Sequence, residues 1–385
     1  MKIGVLGGTF NPVHNAHLAM AKLARDTLAL DGVLLMVAAD PPHKAVDHGV
    51  SAAERLKMAQ LATEDVDGVT ASDLELTRSG KSYTADTLAA LHAMDDSLTL
   101  YLILGSDMLD DFPDWYEPEK ILRLATIACV PRRGQDETDR AAAERLRNRF
   151  GAEVVFLPAE APELSSTAIR DRLELGQPVS EMLPPQVERY CYESGLYFPP
   201  QIRALQAQMR AVLKPARYIH TMGVVRTAAE LAQRWGIDPQ KARLAALLHD
   251  CAKYLDPVTL CVTGGDDTGI LPVQHAFAGA VLAGMQYGID DPEVLRAIRL
   301  HSTGDKGMTL LEQVVYLADL VEPNRTFPGV EGCRTALEQG PDAAMLCALE
   351  QTIRFVGTDA AIHPASLRAY KDFCARCGRT ESVQP

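Results

Sequence analysis

Lys2-Ile3-Gly4-Val5-Leu6-Gly7-Gly8-Thr9-Phe10-Asn11-Pro12-Val13-His14-Asn15-Ala16-His17 is the stretch on which the reading of the first half of the chain turns. Its opening apolar run reads as a short buried strand, the glycine pair as a tight turn, and the amphipathic residues 16–30 as a helix. A strand that turns through glycines into a helix offers free backbone N–H groups and the positive end of the helix dipole to an anion. The loop has no Lys-Ser/Thr pair of a Walker loop and is not G-x-G-x-x-G. It carries two histidines instead, His14 and His17. At a helix start, positions i and i+3 share a face, so both imidazoles can reach one phosphate. A glycine pair alone is an ordinary turn; the full string from Gly7 to His17 points to a phosphate site.

Outward from this stretch the same rhythm repeats. Apolar runs at residues 32–39, 99–104, 126–130 and 153–157 alternate with helical patterns at 52–63, 84–94 and 138–150. Repeated βαβ units predict an α/β fold, a doubly wound parallel sheet covered by helices. The rhythm stops after a helix over 186–195 and Leu196-Tyr197-Phe198-Pro199-Pro200. Helical patterns then follow one another at 202–213, 216–235, 239–248, 274–287, 292–301 and 310–321, so the second half is expected to be all-α. The expected domains are 1–198 and 199–385. Charge supports the division: residues 1–198 hold 19 basic and 31 acidic side chains, the remainder 19 and 20.

With 385 residues, 47% hydrophobic and 23% charged, the chain is too long for one ordinary domain and too apolar for disorder. A formal net charge of -13 argues against sequence-independent nucleic-acid binding, which depends on neutralising phosphates. The apolar runs are too short to cross a bilayer, and no secretory signal is visible at the first residues. The eight cysteines are sparse and mostly sit in apolar patterns, so they read as reduced thiols of a cytoplasmic protein. Cys374-Ala375-Arg376-Cys377 reads as a helix end with two thiols, since no further zinc ligands lie nearby. The expected partners are small molecules, with neither nucleic acid nor membrane, and the oligomeric state is left open.

The helical half poses a second problem. His220, His249-Asp250, His275, His301 and Asp319 fall on or beside different amphipathic helices that can share one core. Unpaired polar groups are costly to bury, and a metal centre accounts for four histidines and two aspartates together. Six N/O ligands exceed the needs of one tetrahedral ion, so two ions bridged by Asp250 are expected. The donor types suit iron, manganese, nickel or zinc and do not choose among them.

The loop string Gly7 to His17 resembles the signature of the nucleotidyltransferase superfamily, and in detail that of bacterial nicotinate-nucleotide adenylyltransferases. Pro41-Pro42-His43-Lys44, Ser82-Tyr83-Thr84-Ala85-Asp86-Thr87, Leu104-Gly105-Ser106-Asp107, Trp115 and Leu164-Ser165-Ser166-Thr167-Ala168-Ile169-Arg170 match in order. The resemblance implies a Rossmann-like domain in which the phosphate of nicotinate mononucleotide attacks the α-phosphorus of ATP, with Mg²⁺ arriving on ATP. It puts Gly8, Thr9 and Phe10 in the nucleotide loop and His14 and His17 on the α/β phosphates. Ser166 and Arg170 go to the terminal phosphates, Lys44 between the substrates, and Gly105 and Asp107 to the adenosine side. Nicotinate lies near Tyr83, Thr84 and Trp115. The same loop also serves phosphopantetheine and other adenylyl or cytidylyl transfers, the alternative reading; Pro41 to Lys44 and Ser82 to Thr87 favour the nicotinate branch.

The second half is similar to the HD phosphohydrolase superfamily. Tyr218-Ile219-His220-Thr221-Met222-Gly223-Val224, Leu248-His249-Asp250-Cys251-Ala252-Lys253, Gln274-His275-Ala276-Phe277-Ala278-Gly279-Ala280, His301-Ser302-Thr303-Gly304 and Ala318-Asp319-Leu320-Val321-Glu322-Pro323-Asn324-Arg325 look like its YqeK-type branch. That resemblance implies symmetrical hydrolysis of diadenosine tetraphosphate to two ADP at a di-iron centre. His220, His249, Asp250, His275, His301 and Asp319 would be metal ligands, and Lys253 and Arg325 phosphate binders. The alternative is a nucleotide-sensing HD domain that regulates the first domain.

Overall fold

The computed structural model describes residues 1–41, 49–78, 80–131, 136–160, 162–265, 268–357 and 362–381. It divides into two compact units, Met1–Asp171 with Val179–Cys191 and Arg172–Pro178 with Tyr192–Pro385. The expected boundary at 198/199 falls inside the second unit, because the preceding residues are bonded there. Gln206 Nε2 donates to the Tyr192 carbonyl (2.6 Å), Tyr218 Oη to that of Glu193 (2.8 Å), and the Arg243 guanidinium lies 5.1 Å from the centre of the Phe198 ring.

The strands are β1 (Lys2–Gly8), β2 (Gly32–Val37), β3 (Val69–Ser72), β4 (Thr99–Gly105), β5 (Ala125–Val130) and β6 (Val154–Phe156). They form one parallel sheet in the order β3-β2-β1-β4-β5-β6. Chain direction across the sheet reverses at β1, whose neighbours are β2 and β4. That is the doubly wound arrangement, and its switch point lies between the C-terminal ends of β1 and β4. Strand β3 is the one that the apolar runs did not announce. Val-Thr-Ala-Ser is a half-polar edge, and only Val69 is fully buried.

The helices of the first part are α1 (Asn15–Leu28), α2 (Ala52–Thr63), α3 (Thr84–Met94), α4 (Pro118–Leu124), α5 (Asp136–Phe150), α6 (Ser166–Glu174) and α7 (Pro185–Ser194). One side of the sheet buries Leu100, Leu102 and Ile127 with Leu88, Phe112, Ile121 and Leu146. Helix α2 does more than cover the sheet. Ser51 and Glu54 cap it reciprocally, the Ser51 Oγ accepting from Glu54 N–H (3.2 Å) and Glu54 Oε2 from Ser51 N–H (2.7 Å). Arg55 then sits in the first turn with 1% exposure. Its guanidinium donates to the carbonyls of Thr9 (2.8 Å), Ala38 (2.6 Å) and Ala39 (3.1 Å). One buried fork therefore ties together the loops that follow β1 and β2.

The second part is helical among its described residues: α8 (Pro200–Val212), α9 (Pro215–Trp235), α10 (Pro239–Leu248), α11 (Pro257–Gly264), α12 (Leu271–Met285), α13 (Pro292–Leu300), α14 (Leu310–Val321), α15 (Val330–Ala336), α16 (Pro341–Val356) and α17 (Pro364–Arg376). Asp-Pro pairs start three of them. The side chains of Asp238, Asp256 and Asp291 accept the N–H of Gln240 (2.8 Å), Val258 (3.1 Å) and Glu293 (2.9 Å), and proline fills the next position. Such stops and starts place residues 249–250 and 301 just beyond the ends of α10 and α13. Helix α9 packs on α10 and α14, and α13 packs between α12 and α14. Among the described residues no helix is long and apolar enough to cross a membrane.

Arg55→Leu should strip three loop carbonyls of their buried donor. The loss is expected to be about 3 kcal/mol or more of unfolding free energy. It can be read by urea denaturation followed through Trp115 fluorescence in a Trp235→Phe background. A loss below about 1 kcal/mol would mean that water replaces the guanidinium and that the loops are not held from α2.

Candidate functional site

In the first unit the phosphate loop leaves β1 at Gly8 and enters α1 at Asn15, with His14 as the capping residue. The two glycines of the loop have different reasons to be glycine. A Cβ on Gly8 would stand 2.9 Å from the Phe10 ring, whereas one on Gly7 would meet nothing within 4 Å. Phe10 is buried in the left-handed region at φ 49°, and its ring meets His17 edge-on at 5.0 Å. His14 and His17 stack with centroids 3.6 Å apart. The His14 backbone N–H donates to His17 Nδ1 (3.1 Å), so a neutral His17 carries its proton on Nε2 and points a donor away from the cap. His14 is 5% exposed, and burial pushes its imidazole down to about 4, which leaves it neutral at neutral pH. Its Nδ1 has no hydrogen-bond partner.

Helix α6 reaches the same loop. Ser166 Oγ donates to the Pro12 carbonyl (2.9 Å), and Arg170 donates to the Asn11 carbonyl (2.8 Å) and to Thr167 Oγ1 (3.0 Å). Thr9 meets Arg55 through its carbonyl. Gly105 ends β4 across the switch point, and Asp107 is exposed in the single 3-10 turn that follows. His14, His17, Gly8, Thr9, Phe10, Ser166 and Arg170 are thus brought together, and Lys44 lies outside the described residues.

On the aromatic side, Tyr83 and Trp115 are the expected residues. Tyr83, at the start of α3, stacks on Tyr116 with centroids 4.3 Å apart. Trp115 instead turns toward Phe112 (5.3 Å) and the core. Beside Tyr83 and Thr84, Ser82 Oγ accepts the N–H groups of Ala39 (2.9 Å) and Asp40 (3.3 Å), which draws the loop after β2 toward α3.

In the second unit all six expected ligands converge. Three overlapping groups can each hold an ion: His220, His249 and Asp250; His249, His301 and Asp319; Asp250, His275 and His301. Within each group the donor atoms lie within 4.8 Å of one another. The imidazoles are oriented from behind. The Nδ1–H of His249 donates to the Ala246 carbonyl (2.7 Å), that of His301 to Ile298 (2.8 Å), and that of His220 to Glu322 Oε1 (3.0 Å). Each therefore turns its Nε2 inward, the orientation of metal-binding histidines, and, against its burial, Asp250 and Asp319 raise the His249 imidazole. Nε2 of His275 and of His301 face each other at 3.2 Å, and Ser302 Oγ lies 3.0 Å from the latter. Burial pushes His301 down to about 3 and lowers His275, which favours the neutral imidazoles that metal binding needs.

The carboxylates are ionised at the centre of this cluster. Burial acts to raise Asp250, but His249, His275 and His301 outweigh it and hold the carboxyl well below the usual range. Asp319 is held down likewise by His220, His249 and Arg325 against its burial. Arg217 Nη1 stands 3.0 Å from Asp250 Oδ2, Arg325 Nη2 2.6 Å from Asp319 Oδ1, and Lys253 Nζ 3.8 Å from Asp250 Oδ1. The fit to metal is carried by what is left over. His220 Nε2, His249 Nε2 and Asp250 Oδ2 are buried without a hydrogen bond. Unmatched donors and acceptors of this kind, facing one point, suit divalent cations.

Arg217 and Glu322 were not picked out from the sequence as site residues. Arg217 precedes His220 by one helical turn, a spacing that could have revealed it. Glu322 was visible only as part of Glu322-Pro323-Asn324-Arg325. Its carboxylate packs so closely on α9 that a Cβ at Gly223 would stand 2.4 Å from Oε2, which explains that glycine.

Comparison with known proteins finds relatives for both parts of the chain. The Cytidylyltransferase-like family matches residues 5–172, and the HD domain family matches residues 217–324. The chain is 42% identical over 202 residues to the probable nicotinate-nucleotide adenylyltransferase of Synechococcus sp. (strain JA-3-3Ab), spanning 52% of this chain and 96% of that one. It is 39% identical over 212 residues to the probable nicotinate-nucleotide adenylyltransferase of Geobacter sulfurreducens, spanning 51% and 98%. Among solved structures, a predicted HD superfamily hydrolase involved in NAD metabolism from Clostridium acetobutylicum is 35% identical, covering 45% of this chain and 96% of that one with a TM-score of 0.43. The nicotinic acid mononucleotide adenylyltransferase of Plasmodium falciparum, complexed with NaAD, is 20% identical with a TM-score of 0.44, covering 51% and 97%. Through its first unit, which matches such relatives along nearly their whole length, the chain belongs to the nicotinate-nucleotide adenylyltransferase family, and it carries an HD domain in its second.

Proposed function

We propose that the chain is a bifunctional enzyme whose first unit joins ATP to nicotinate mononucleotide. The observation that supports this most is the stacked His14–His17 pair at the start of α1, on a loop that Ser166 and Arg170 also reach. The substrate is ATP with its Mg²⁺. A phosphate oxygen of nicotinate mononucleotide attacks the α-phosphorus in line, the bond to the β-phosphate oxygen breaks, and pyrophosphate leaves with nicotinate adenine dinucleotide as the other product. No protein nucleophile is required, so catalysis is positioning and charge stabilisation. His17 directs its Nε2–H at the oxygens where charge builds, while neutral His14 supports it by stacking. Arg170 and Ser166 hold the departing phosphates. Gly105 and Asp107 stand on the adenosine side of the switch point, and Lys44 belongs between the two substrates. Tyr83 and Thr84 flank the nicotinate ring, with Trp115 as its stacking aromatic.

For the second unit we propose a metal-dependent phosphohydrolase that cuts diadenosine tetraphosphate symmetrically into two ADP. His220, His249, Asp250, His275, His301 and Asp319 would hold two divalent ions. Iron is the metal implied by the resemblance, and this donor set accepts it. Two such ions, when bound, supply an activated water and positive charge for the phosphates. Glu322 and the Ala246 and Ile298 carbonyls keep the imidazoles turned inward. Lys253, Arg217 and Arg325 already face the two carboxylates and are placed to take phosphate oxygens instead.

Replacing His17 by Ala should lower kcat for adenylyl transfer by roughly 10²-fold or more with little change in affinity for nicotinate mononucleotide, because its bond strengthens in the transition state. An unchanged kcat in a pyrophosphate-release assay would remove His17 from the mechanism. The acid mononucleotide should also exceed its amide in kcat/KM, since a carboxylate accepts stronger hydrogen bonds than an amide. Equal values would contradict the nicotinate assignment. Asp250→Ala should empty the second site of metal, measured by elemental analysis, and abolish ADP release while adenylyl transfer persists. In the unaltered protein ADP should be the sole nucleotide product from diadenosine tetraphosphate; ATP plus AMP would overturn the symmetrical reading.

A further inference from the structure

The cysteines read from the sequence as reduced thiols in apolar patterns, and two of them meet. Cys333 on α15 and Cys347 on α16 approach to 3.3 Å between sulfurs, and no disulfide joins them. Cys333 is fully buried, whereas Cys347 is half-buried and lines a cleft of about 670 Å³ together with Cys377, Arg379, Glu350 and Asp342. One sulfur thus faces a space that admits a small molecule, and the other waits behind it. We infer that Cys347 and Cys333 form a reactive dithiol that exchanges with low-molecular-weight disulfides and closes reversibly into a bond between α15 and α16.

The chemistry is balanced by the disulfide itself. The Cys347 thiolate attacks one sulfur of R–S–S–R, a mixed disulfide forms, and R–S⁻ leaves. Cys333 loses its proton to that leaving thiolate or to solvent, and its sulfur attacks Cys347 Sγ. The second R–S⁻ leaves; two protein thiols are oxidised and one external disulfide is reduced to two thiols. Electrostatics favour this order. The hydrogen bond between the two sulfurs, with help from Arg354 and Arg379, brings Cys347 down to about 7 against its burial and Glu350. The same hydrogen bond, together with burial, pushes Cys333 up. An attacking thiol titrating near ambient pH is the fastest in such exchange. Sulfurs 3.3 Å apart need to close to about 2.05 Å, a change that side-chain rotation and a small helix shift can supply.

The pair also has a mechanical link to the histidine cluster. Arg334, next to Cys333, donates to the carbonyls of Val321 (3.0 Å), Glu322 (2.9 Å) and Arg325 (2.9 Å). Those residues follow Asp319, and Glu322 is the partner of His220. A bond that pulls on α15 is therefore felt at the segment that orients one imidazole.

The test treats the reduced full-length chain with oxidised glutathione, alkylates the remaining thiols and maps peptides without reduction. The expected result is a link between the Cys333 and Cys347 peptides that dithiothreitol reverses, and altered amide hydrogen exchange over 321–325 in the linked form. Cys333→Ser should trap glutathione on Cys347, and Cys347→Ser should leave Cys333 unmodified. Circular dichroism reports that both variants remain folded, and iodoacetamide labelling of the unaltered protein, fastest at Cys347, gives a reading free of mutation. The inference is overturned if Cys347 labels no faster than the other thiols, if glutathione accumulates on Cys347 of the unaltered chain without the link, or if Cys347 pairs with Cys377. Unchanged exchange over 321–325 in the linked protein would overturn the connection to the histidine cluster.

Discussion

An ionised carboxylate cannot be buried without partners, and Asp250 is 2% exposed. The second half of the molecule is organised around meeting that requirement. Two histidines from separate helix ends, a third within α12, and Arg217 all approach its oxygens. Each of these groups must in turn be held. His249 and His301 bond to carbonyls one turn back, where the final turns of α10 and α13 leave acceptors open. The helices end where they do so that imidazoles can stand at their mouths, and the Asp-Pro starts set the lengths that allow it. What makes no hydrogen bond after this, Nε2 of His220 and of His249 and Oδ2 of Asp250, is the part left for a ligand.

The first unit applies the same constraint with the opposite sign. Arg55 is a buried cation whose fork is satisfied by carbonyls rather than by a carboxylate. Those carbonyls belong to the loops after β1 and β2, so one side chain fixes the relative height of two segments that border the switch point. Ser166 and Arg170 do this from the other side by taking the Pro12 and Asn11 carbonyls. The phosphate loop is thus held through its backbone oxygens, at the N-terminal end of α1, where the helix dipole favours an anion.

Charge follows the division of labour. The first unit carries most of the acidic excess, yet the groups around its loop are histidines and an arginine. In the second unit the balance is nearly neutral, and the acids that matter lie inside it, paired with Arg217, Lys253 and Arg325. Those cations offset the two aspartates, and they are the groups that a phosphate chain can recruit.

Much of this was legible in the sequence. Period and punctuation were enough for the parallel sheet, the helical second half and most helix limits, because buried strands and amphipathic helices leave strong local patterns. The eleven-residue loop and the histidine and aspartate strings named both sites, since each depends on residue types at fixed spacing. Strand β3 was missed because a short edge strand needs no apolar run. The role of Arg55, the backing of His220 by Glu322, the stacking of Tyr83 on Tyr116 and the meeting of Cys333 with Cys347 depend on side chains that approach from separate elements. The sequence by itself determined the two-part architecture, five of the six strands and many of the helices, because those reside in local pattern. Only the tertiary structure decided which polar groups face one another, because burial makes a polar group take whichever partner the packing brings within reach.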